Sequence, residues 1–227
     1  MRNRKSDTPG SEIDLLTNYP RSDRNVDMRG AEKTEADQAV ARRFGKEFFD
    51  GDRRHGYGGF TYHPRFWQPV VPTFRDYYSL DGESAVLDVG CAKGFMVRDF
   101  KESISGISVN GIDISDYAIG CAEEDVSDDL KVADARELPF DDASFDLVVS
   151  INTIHNLDRE GVVQALGEIE RVSRSFSYVT VDAYRNEEER ERMMKWNLTA
   201  QTILSDSEWV GLFAEAGYKG DYYWFVP

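Results

Sequence analysis

An α/β fold is what the sequence predicts, and three observations predict it. Ala85-Val86-Leu87-Asp88-Val89 is a short apolar, partly β-branched run that breaks into a glycine-bounded loop, Gly90-Cys91-Ala92-Lys93-Gly94, and then into a helical segment opening on Phe95-Met96. Twenty-five residues after Asp88 a second acid, Asp113, closes another apolar run, Ser108 to Asp113, at the spacing of one strand–helix unit plus the next strand. Apolar runs at 145–151 and 176–181 flank an amphipathic segment with Val162, Leu166, Ile169 and Val172 on one face. Strands alternate with helices.

At 227 residues and 41% hydrophobic content the chain can bury a full core, and its size favours one domain with an appendage. No apolar run approaches the ~18 residues that span a bilayer. Met1-Arg2-Asn3-Arg4-Lys5 leads into polar residues instead of a signal-peptide core, so a cytoplasmic protein without a membrane partner is expected. The formal net charge is −15; residues 1–35 carry seven basic and seven acidic side chains, so the whole excess lies in 36–227. Such a surface repels phosphate backbones, and a nucleic-acid partner is not expected. Cys91 and Cys121 belong to no C-x-x-C pair and no histidine cluster exists, which predicts reduced thiols and no metal site.

Residues 1 to about 30 lack sustained periodicity, and disorder is expected for the first ten; Ile13, Leu15, Leu16 and Tyr19 are the residues that can anchor this arm. From Ala31 to Phe49 the spacing of Ala36, Ala39, Val40, Phe44 and Phe48 predicts a helix. The stretch from Asp50 to Trp67 interleaves glycines with aromatics, including Tyr57, Tyr62 and Trp67, and cannot form a regular helix. It reads either as a lid or substrate wall, or as a loop whose aromatics fill the core. Phe66 to Tyr78 reads as a helix broken by Pro69 and Pro72.

The loop after the first strand is a ligand seat. Gly90 and Gly94 permit a tight turn and close approach, and the helix opening at Phe95 offers unpaired N–H groups. A dinucleotide fingerprint would need glycine at 92 and 95, where this chain has Ala92 and Phe95, so pyrophosphate is disfavoured. An acid within the strand, Asp88, a G-x-x-x-G loop and a second acid at the next strand end, in Gly111-Ile112-Asp113-Ile114-Ser115, fit an adenosine ligand without phosphates. Asp113 can accept hydrogen bonds from both ribose hydroxyls; its alternative role as a helix N-cap is weaker because Ser115 can cap.

Val86-Leu87-Asp88-Val89-Gly90-Cys91-Ala92-Lys93-Gly94 resembles the first motif of the class I S-adenosylmethionine-dependent methyltransferases, commonly V-L-D-x-G-C-G-x-G, with Ala92 in place of glycine. The resemblance covers about residues 84–217. It implies a Rossmann-like, doubly wound, mostly parallel sheet with helices on both faces, strand order 3-2-1-4-5-7-6 or shortened, finishing in two antiparallel strands that the remaining chain leaves short. It further implies an N-terminal helical and aromatic lid, with residues 1–80 as arm and lid and 81–227 as the cofactor-binding catalytic domain. The cofactor implied is S-adenosyl-L-methionine, held by Asp88, Gly90, Cys91, Ala92, Gly94, Phe95, Asp113 and Ile114. Asp134 and Ala135, in the short strand from Leu130, fall where the family contacts adenine, and Asn152 also faces the cofactor.

Residues beyond the carboxyl ends of the later strands should face cofactor or acceptor. After the fourth strand come Asn152, His155 and Asn156. His155 is either a base for the acceptor or a hydrogen-bonded structural histidine. Asp158 reads as the N-cap of the following helix. After the fifth strand come Asp182, Tyr184 and Arg185, and Trp196 lies in a long insertion that offers another acceptor wall. His155, Asn152 and Tyr184 are the catalytic candidates; Tyr57, Tyr62, Trp67, Asn156, Asp182, Arg185 and Trp196 are the substrate-binding ones. Ser205-x-x-Glu208 is a capping box for a last helix that Gly217 ends, and Tyr222 to Val226 reads as a final strand.

The resemblance thus implies methyl transfer to oxygen or nitrogen of a small molecule in a bacterial biosynthetic pathway for a secondary metabolite or saccharide. Two other functions stay open. One is cyclisation or lysis of the cofactor to azetidine-2-carboxylate and methylthioadenosine; the other is non-catalytic binding of S-adenosylmethionine. Homodimer formation is also left open.

Overall fold

The computed structural model describes residues 10–20 and 25–227. The expected disorder of the first ten residues therefore lies, Gly10 apart, outside the described residues. Four short helices precede the sheet: α1 (Val26–Glu32), α2 (Glu35–Ala41), α3 (Lys46–Phe49) and α4 (Val71–Tyr78). The single helix expected over 31–49 is thus three pieces. A capping box at Thr34 and Asp37 starts a new helix, and Phe44, at φ +48°, turns the chain before Gly45 starts the third. Pro72 falls in the first turn of α4, where its missing N–H costs nothing, so the helix begins after the prolines instead of being broken by them.

The sheet follows: β1 (Ala85–Val89), α5 (Phe95–Ser103), β2 (Ser108–Asp113), α6 (Asp116–Gly120), β3 (Leu130–Val132), β4 (Phe145–Ile151), α7 (Arg159–Val172), β5 (Ser173–Tyr184), α8 (Glu187–Trp196), β6 (Leu204–Ser205), α9 (Asp206–Ala216) and β7 (Asp221–Phe225). The order is β3-β2-β1-β4-β5-β6, with β7 also on β5, and every pair is parallel. The antiparallel finish is not what forms. β6 is two residues at the carboxyl end of β5, and α9, packed beside α7, carries the chain back so that β7 enters from the same end as β5. Ser115, Asp158 and Ser205 cap α6, α7 and α9 as their sequence positions predict, and Gly217, at φ +69°, ends α9.

Two apolar layers sandwich the sheet. Val162, Leu166, Ile169 and Val172 of α7 join Trp209, Leu212 and Phe213 of α9 against Leu87, Val148, Val179 and Val181. On the other face Phe74, Phe100, Val97 and Leu15 cover Val86, Leu147, Val149 and Tyr178. The arm is tied to this face: Tyr178 donates its hydroxyl hydrogen to Ile13 O (3.0 Å), Thr73 Oγ1 donates to Leu15 O (2.6 Å), and Glu12 bridges Tyr222 on the outer edge of β7. The arm thereby covers an edge that would otherwise present unpaired main-chain groups. From there α1 lies on α8, and Lys33 Nζ donates to Met194 O, Lys195 O and Asn197 O (2.5–3.1 Å) at the carbonyl end of that helix. The carboxyl ends of all the strands lie along one rim, beneath residues 26–62.

Candidate cofactor and acceptor site

The glycines of the β1–α5 loop are required by the protein itself. Gly90 (φ +91°) and Gly94 (φ +79°) hold left-handed backbone, and a Cβ would meet Thr153 Oγ1 at 2.1 Å in the first case and Leu130 Cδ1 at 2.6 Å in the second. The close approach expected from a ligand at these positions is made by the chain. Ala92 is also left-handed, φ +52°, and its N–H donates to Asp113 Oδ2 at 2.8 Å, which holds a conformation that disfavours a side chain. Gly90 and Cys91 N–H both donate to Ile112 O (2.7 and 2.9 Å).

Asp113 is the pivot of the rim. Its Oδ1 accepts the Ser115 N–H at 2.8 Å, and the Ile114 N–H also acts on the carboxylate. Burial pushes its pKa up, opposed by these main-chain bonds. Asp88 behind it is buried without an opposite charge and is pushed up to about 7, first by burial and then by the charge of Asp113. Beside Asp113 the rim exposes two apolar side chains, Ile114 (55%) and Val132 (51%), on adjacent strand ends. Asp134, next along, is clamped by its neighbour: Arg136 Nε and Nη2 donate to its carboxylate at 2.6–3.1 Å, and the side-chain bonds lower its pKa.

A cap sits on the loop. Lys93 Nζ, nearly buried, donates to Asp50 Oδ2 and to Phe60 O, both at 2.7 Å. Tyr117 donates to the same Asp50 oxygen at 2.8 Å, and the Phe60 N–H donates to Asp50 Oδ1 at 2.8 Å. Burial pushes the Asp50 pKa up, but the Lys93, Phe60 and Tyr117 hydrogen bonds outweigh it and the carboxyl titrates low. Phe60 stacks on Phe95 (4.9 Å), Tyr57 packs on Phe60 (4.4 Å), and Tyr62 meets Phe95 edge-on (5.7 Å) while donating to Asp99 Oδ1 at 2.7 Å. Ser115 Oγ donates to Phe44 O.

Beyond β4 the chain is again strained. Asn152 has φ +51°; its N–H donates to Thr180 Oγ1 (2.9 Å) and its Oδ1 accepts the Thr180 hydroxyl (2.8 Å). His155, in the single turn Ile154–Asn156, is buried, and its Nδ1 accepts the Asp182 N–H at 2.9 Å.

Residues 87–181 match the methyltransferase domain family. The matched segment, less than half of the chain, carries a methyltransferase domain, and the fold around it is shared with a solved S-adenosylmethionine-dependent methyltransferase. The chain is 33% identical over 94 residues to the 27-O-demethylrifamycin SV methyltransferase of Amycolatopsis mediterranei, which covers 38% of this chain and 34% of that protein. Over 154 residues it is 29% identical to the tRNA (carboxymethyluridine(34)-5-O)-methyltransferase of Arabidopsis thaliana, 63% of this chain and 34% of that one. Among solved structures, the MccD protein superposes with a TM-score of 0.52 at 25% identity, over 64% of this chain and 68% of its own. The chain spans between a third and three fifths of the length of the curated relatives it matches.

The cofactor of this methyltransferase class is S-adenosylmethionine, and the residues present fit it. Asp113 offers a strand-end carboxylate to ribose hydroxyls, and Ile114 and Val132 offer an apolar seat for an adenine face. Among the described residues no group of three or more His, Cys, Asp or Glu side chains is placed to hold a metal ion. Among the described residues no helix is long and apolar enough to cross a membrane.

The other candidates divide. Asp88, Gly90, Cys91, Ala92, Gly94, Phe95, Asp113 and Ile114 cluster at the loop with Tyr57 and Tyr62 above them. Asn152, His155 and Asp182 cluster at the ends of β4 and β5. Trp67 packs on Tyr19 (4.9 Å), whose buried hydroxyl is within electrostatic reach of Tyr57, and Trp196 packs on Phe225 (5.6 Å) under Arg29. Asn156 has its Oδ1 buried without a partner. Tyr184 and Arg185 lie apart: Tyr184 is within electrostatic reach of Glu208 and Arg190, and Arg185 pairs with Glu12 at 2.8 Å on the arm. His155, expected either as a base or as a hydrogen-bonded structural histidine, makes the hydrogen bond. Its Nδ1 lone pair is already used, so the proton of the neutral ring is on Nε2, and burial lowers its pKa further. Sequence reasoning did not find Asp50, which lies in a segment with no motif.

Proposed function

We propose that the chain transfers a methyl group from S-adenosylmethionine to an oxygen or nitrogen of a small molecule, with residues 1–80 as arm and lid and 81–227 as the catalytic domain. The observation that carries this reading is the Asp113 rim, a strand-end carboxylate beside exposed Ile114 and Val132, in a methyltransferase domain closed by a cap. When bound, the sulfonium supplies a methyl group already activated for displacement. The chain's own work is positional: Asp113 orients the ribose, Asp134 and Ala135 meet the adenine edge, and the Tyr57–Phe60–Tyr62 wall excludes water. Asn152, held by Thr180, and the His155–Asp182 pair face the acceptor.

A small-molecule acceptor is favoured over tRNA, the substrate named for the Arabidopsis relative, because the net charge is −15 and the cap covers the rim. A biosynthetic role accords with the rifamycin relative. The test is to incubate purified protein with S-adenosylmethionine, with and without a pool of small metabolites, and to identify the nucleoside released. S-adenosylhomocysteine that depends on the pool supports transfer. Methylthioadenosine formed without it would instead indicate cyclisation or lysis, and binding without either product would indicate a non-catalytic module.

A further inference from the structure

The loop expected to seat the cofactor contains a lysine that serves the cap. Lys93 stands between two left-handed residues, Ala92 (φ +52°) and Gly94 (φ +79°), and its side chain runs inward, leaving the residue 7% exposed. Its ammonium meets Asp50 Oδ2 and Phe60 O, both at 2.7 Å, and lies 5.9 Å from the centre of the Tyr117 ring. Taking a lysine and a carboxylate largely out of water is unfavourable, and well-packed apolar side chains would join the same two segments at less cost. What the pair supplies is position: it fixes where the cap sits on the loop.

The ties of the cap converge on one carboxylate. Asp113 Oδ2 accepts the Ala92 N–H at 2.8 Å, and the next side chain, Lys93, holds Asp50 and Phe60. Asp113 Oδ1 accepts the Ser115 N–H at 2.8 Å; the Ser115 hydroxyl donates to Phe44 O, and Tyr117, two residues on, donates to Asp50 Oδ2 at 2.8 Å. Two routes thus leave Asp113 and meet again on Asp50, a contiguous network of main chain and hydrogen bonds. One turn into α5 the Tyr62 hydroxyl donates to Asp99 Oδ1 at 2.7 Å, while Asp99 Oδ2 is left buried without a partner. The closed cap therefore carries a cost of its own.

We infer that Lys93 is a positioning residue through which the cap and the cofactor seat stabilise each other: the cap closes more firmly over an occupied seat, and a closed cap holds the cofactor more tightly. The inference rests on the methyl-transfer reading, in which Asp113 holds the ribose. A ligand at Asp113 steadies Ala92 and Ser115, the starting points of both routes, so parting Lys93 from Asp50 then disturbs the groups that hold the ligand. Linkage makes the effect reciprocal, and the factor by which the ligand favours closure is the factor that a broken latch removes from its affinity. An ion pair that served the fold alone would lower the melting temperature and leave that affinity as it was.

The experiment follows hydrogen exchange at residues 46–60 of the full-length protein, with and without S-adenosylhomocysteine at about 100 times its Kd, and measures its affinity by calorimetry. A ligand that binds only the closed form makes opening rarer by one plus the ratio of its concentration to Kd, so protection of the wild-type cap should rise at least tenfold. Asp50→Asn leaves the loop and Asp113 intact; it should speed exchange of the ligand-free cap about tenfold and weaken S-adenosylhomocysteine at least fivefold. Lys93→Met should do the same, and the double variant should bind no more weakly than either, since the two side chains act as a pair. Should Lys93→Met fail to fold, Asp50→Asn decides alone. Cap exchange indifferent to the ligand, losses that add in the double variant, or variants that melt earlier yet keep wild-type affinity overturn the inference and leave the cofactor reading standing. Failure of S-adenosylhomocysteine to bind the wild type overturns the cofactor reading and the inference with it.

Discussion

The two carboxylates at the first two strands, Asp88 and Asp113, respond differently to substitution. Asp113 joins the loop to the strand end through Ala92 and Ser115 and, in the proposed reading, also holds the ribose, so Asp113→Ala should weaken the cofactor's hold and loosen the loop together. We expect cofactor affinity measured by calorimetry to fall by about 1–3 kcal/mol, the worth of one or two such bonds; an unchanged affinity would remove Asp113 from the ribose. Asp88 has no such outward role. Its pKa is raised from 3.8 to about 7, so the folded state holds the proton more tightly than the unfolded one. The stability this contributes is fully present at low pH and is lost as pH rises through about 4 to 7. Wild-type melting temperature should therefore fall across that window more steeply than that of Asp88→Asn, and parallel curves would show that the charge on Asp88 is relieved in some other way.

The cap is held to the sheet by few groups, and Asp50 gathers them. Lys93→Met leaves that carboxylate half-buried, with only Tyr117 and the Phe60 N–H as donors, and should destabilise the protein by ~2 kcal/mol while opening the segment around 46–62 to proteolysis. The double variant with Asp50→Asn should recover part of that loss; full additivity of the two substitutions would mean that the ion pair does not hold the cap. This latch also shows where sequence reading ended. The strands, the loop and the caps at Ser115, Asp158 and Ser205 are written in short-range pattern, and the structure has them at those positions. Asp50 and Lys93 are 43 residues apart, and nothing local announces that a lysine inside a glycine loop requires a distant partner. The same limit split the helix expected over 31–49: its apolar spacing is helical, but Thr34 and Phe44 redirect the chain because each piece packs on a different neighbour. His155 was recognisable as a candidate, yet its use depends on which nitrogen meets the Asp182 N–H, a fact of tertiary pairing between β5 and the turn after β4.

Across the whole molecule, charge and closure act together on what can reach the rim. The acidic excess lies entirely in 36–227, the part that forms the sheet and cap, while the balanced segment supplies α1 and Arg29. A phosphate backbone approaching the strand ends meets a repulsive field that salt would weaken. Any residual tRNA association should strengthen as ionic strength rises from 50 to 300 mM, because screening removes repulsion, with none detectable at the low end by mobility shift. Tight tRNA binding at low salt that weakens as salt is added would reveal a basic path across the surface and would transfer the acceptor assignment from a small molecule to nucleic acid.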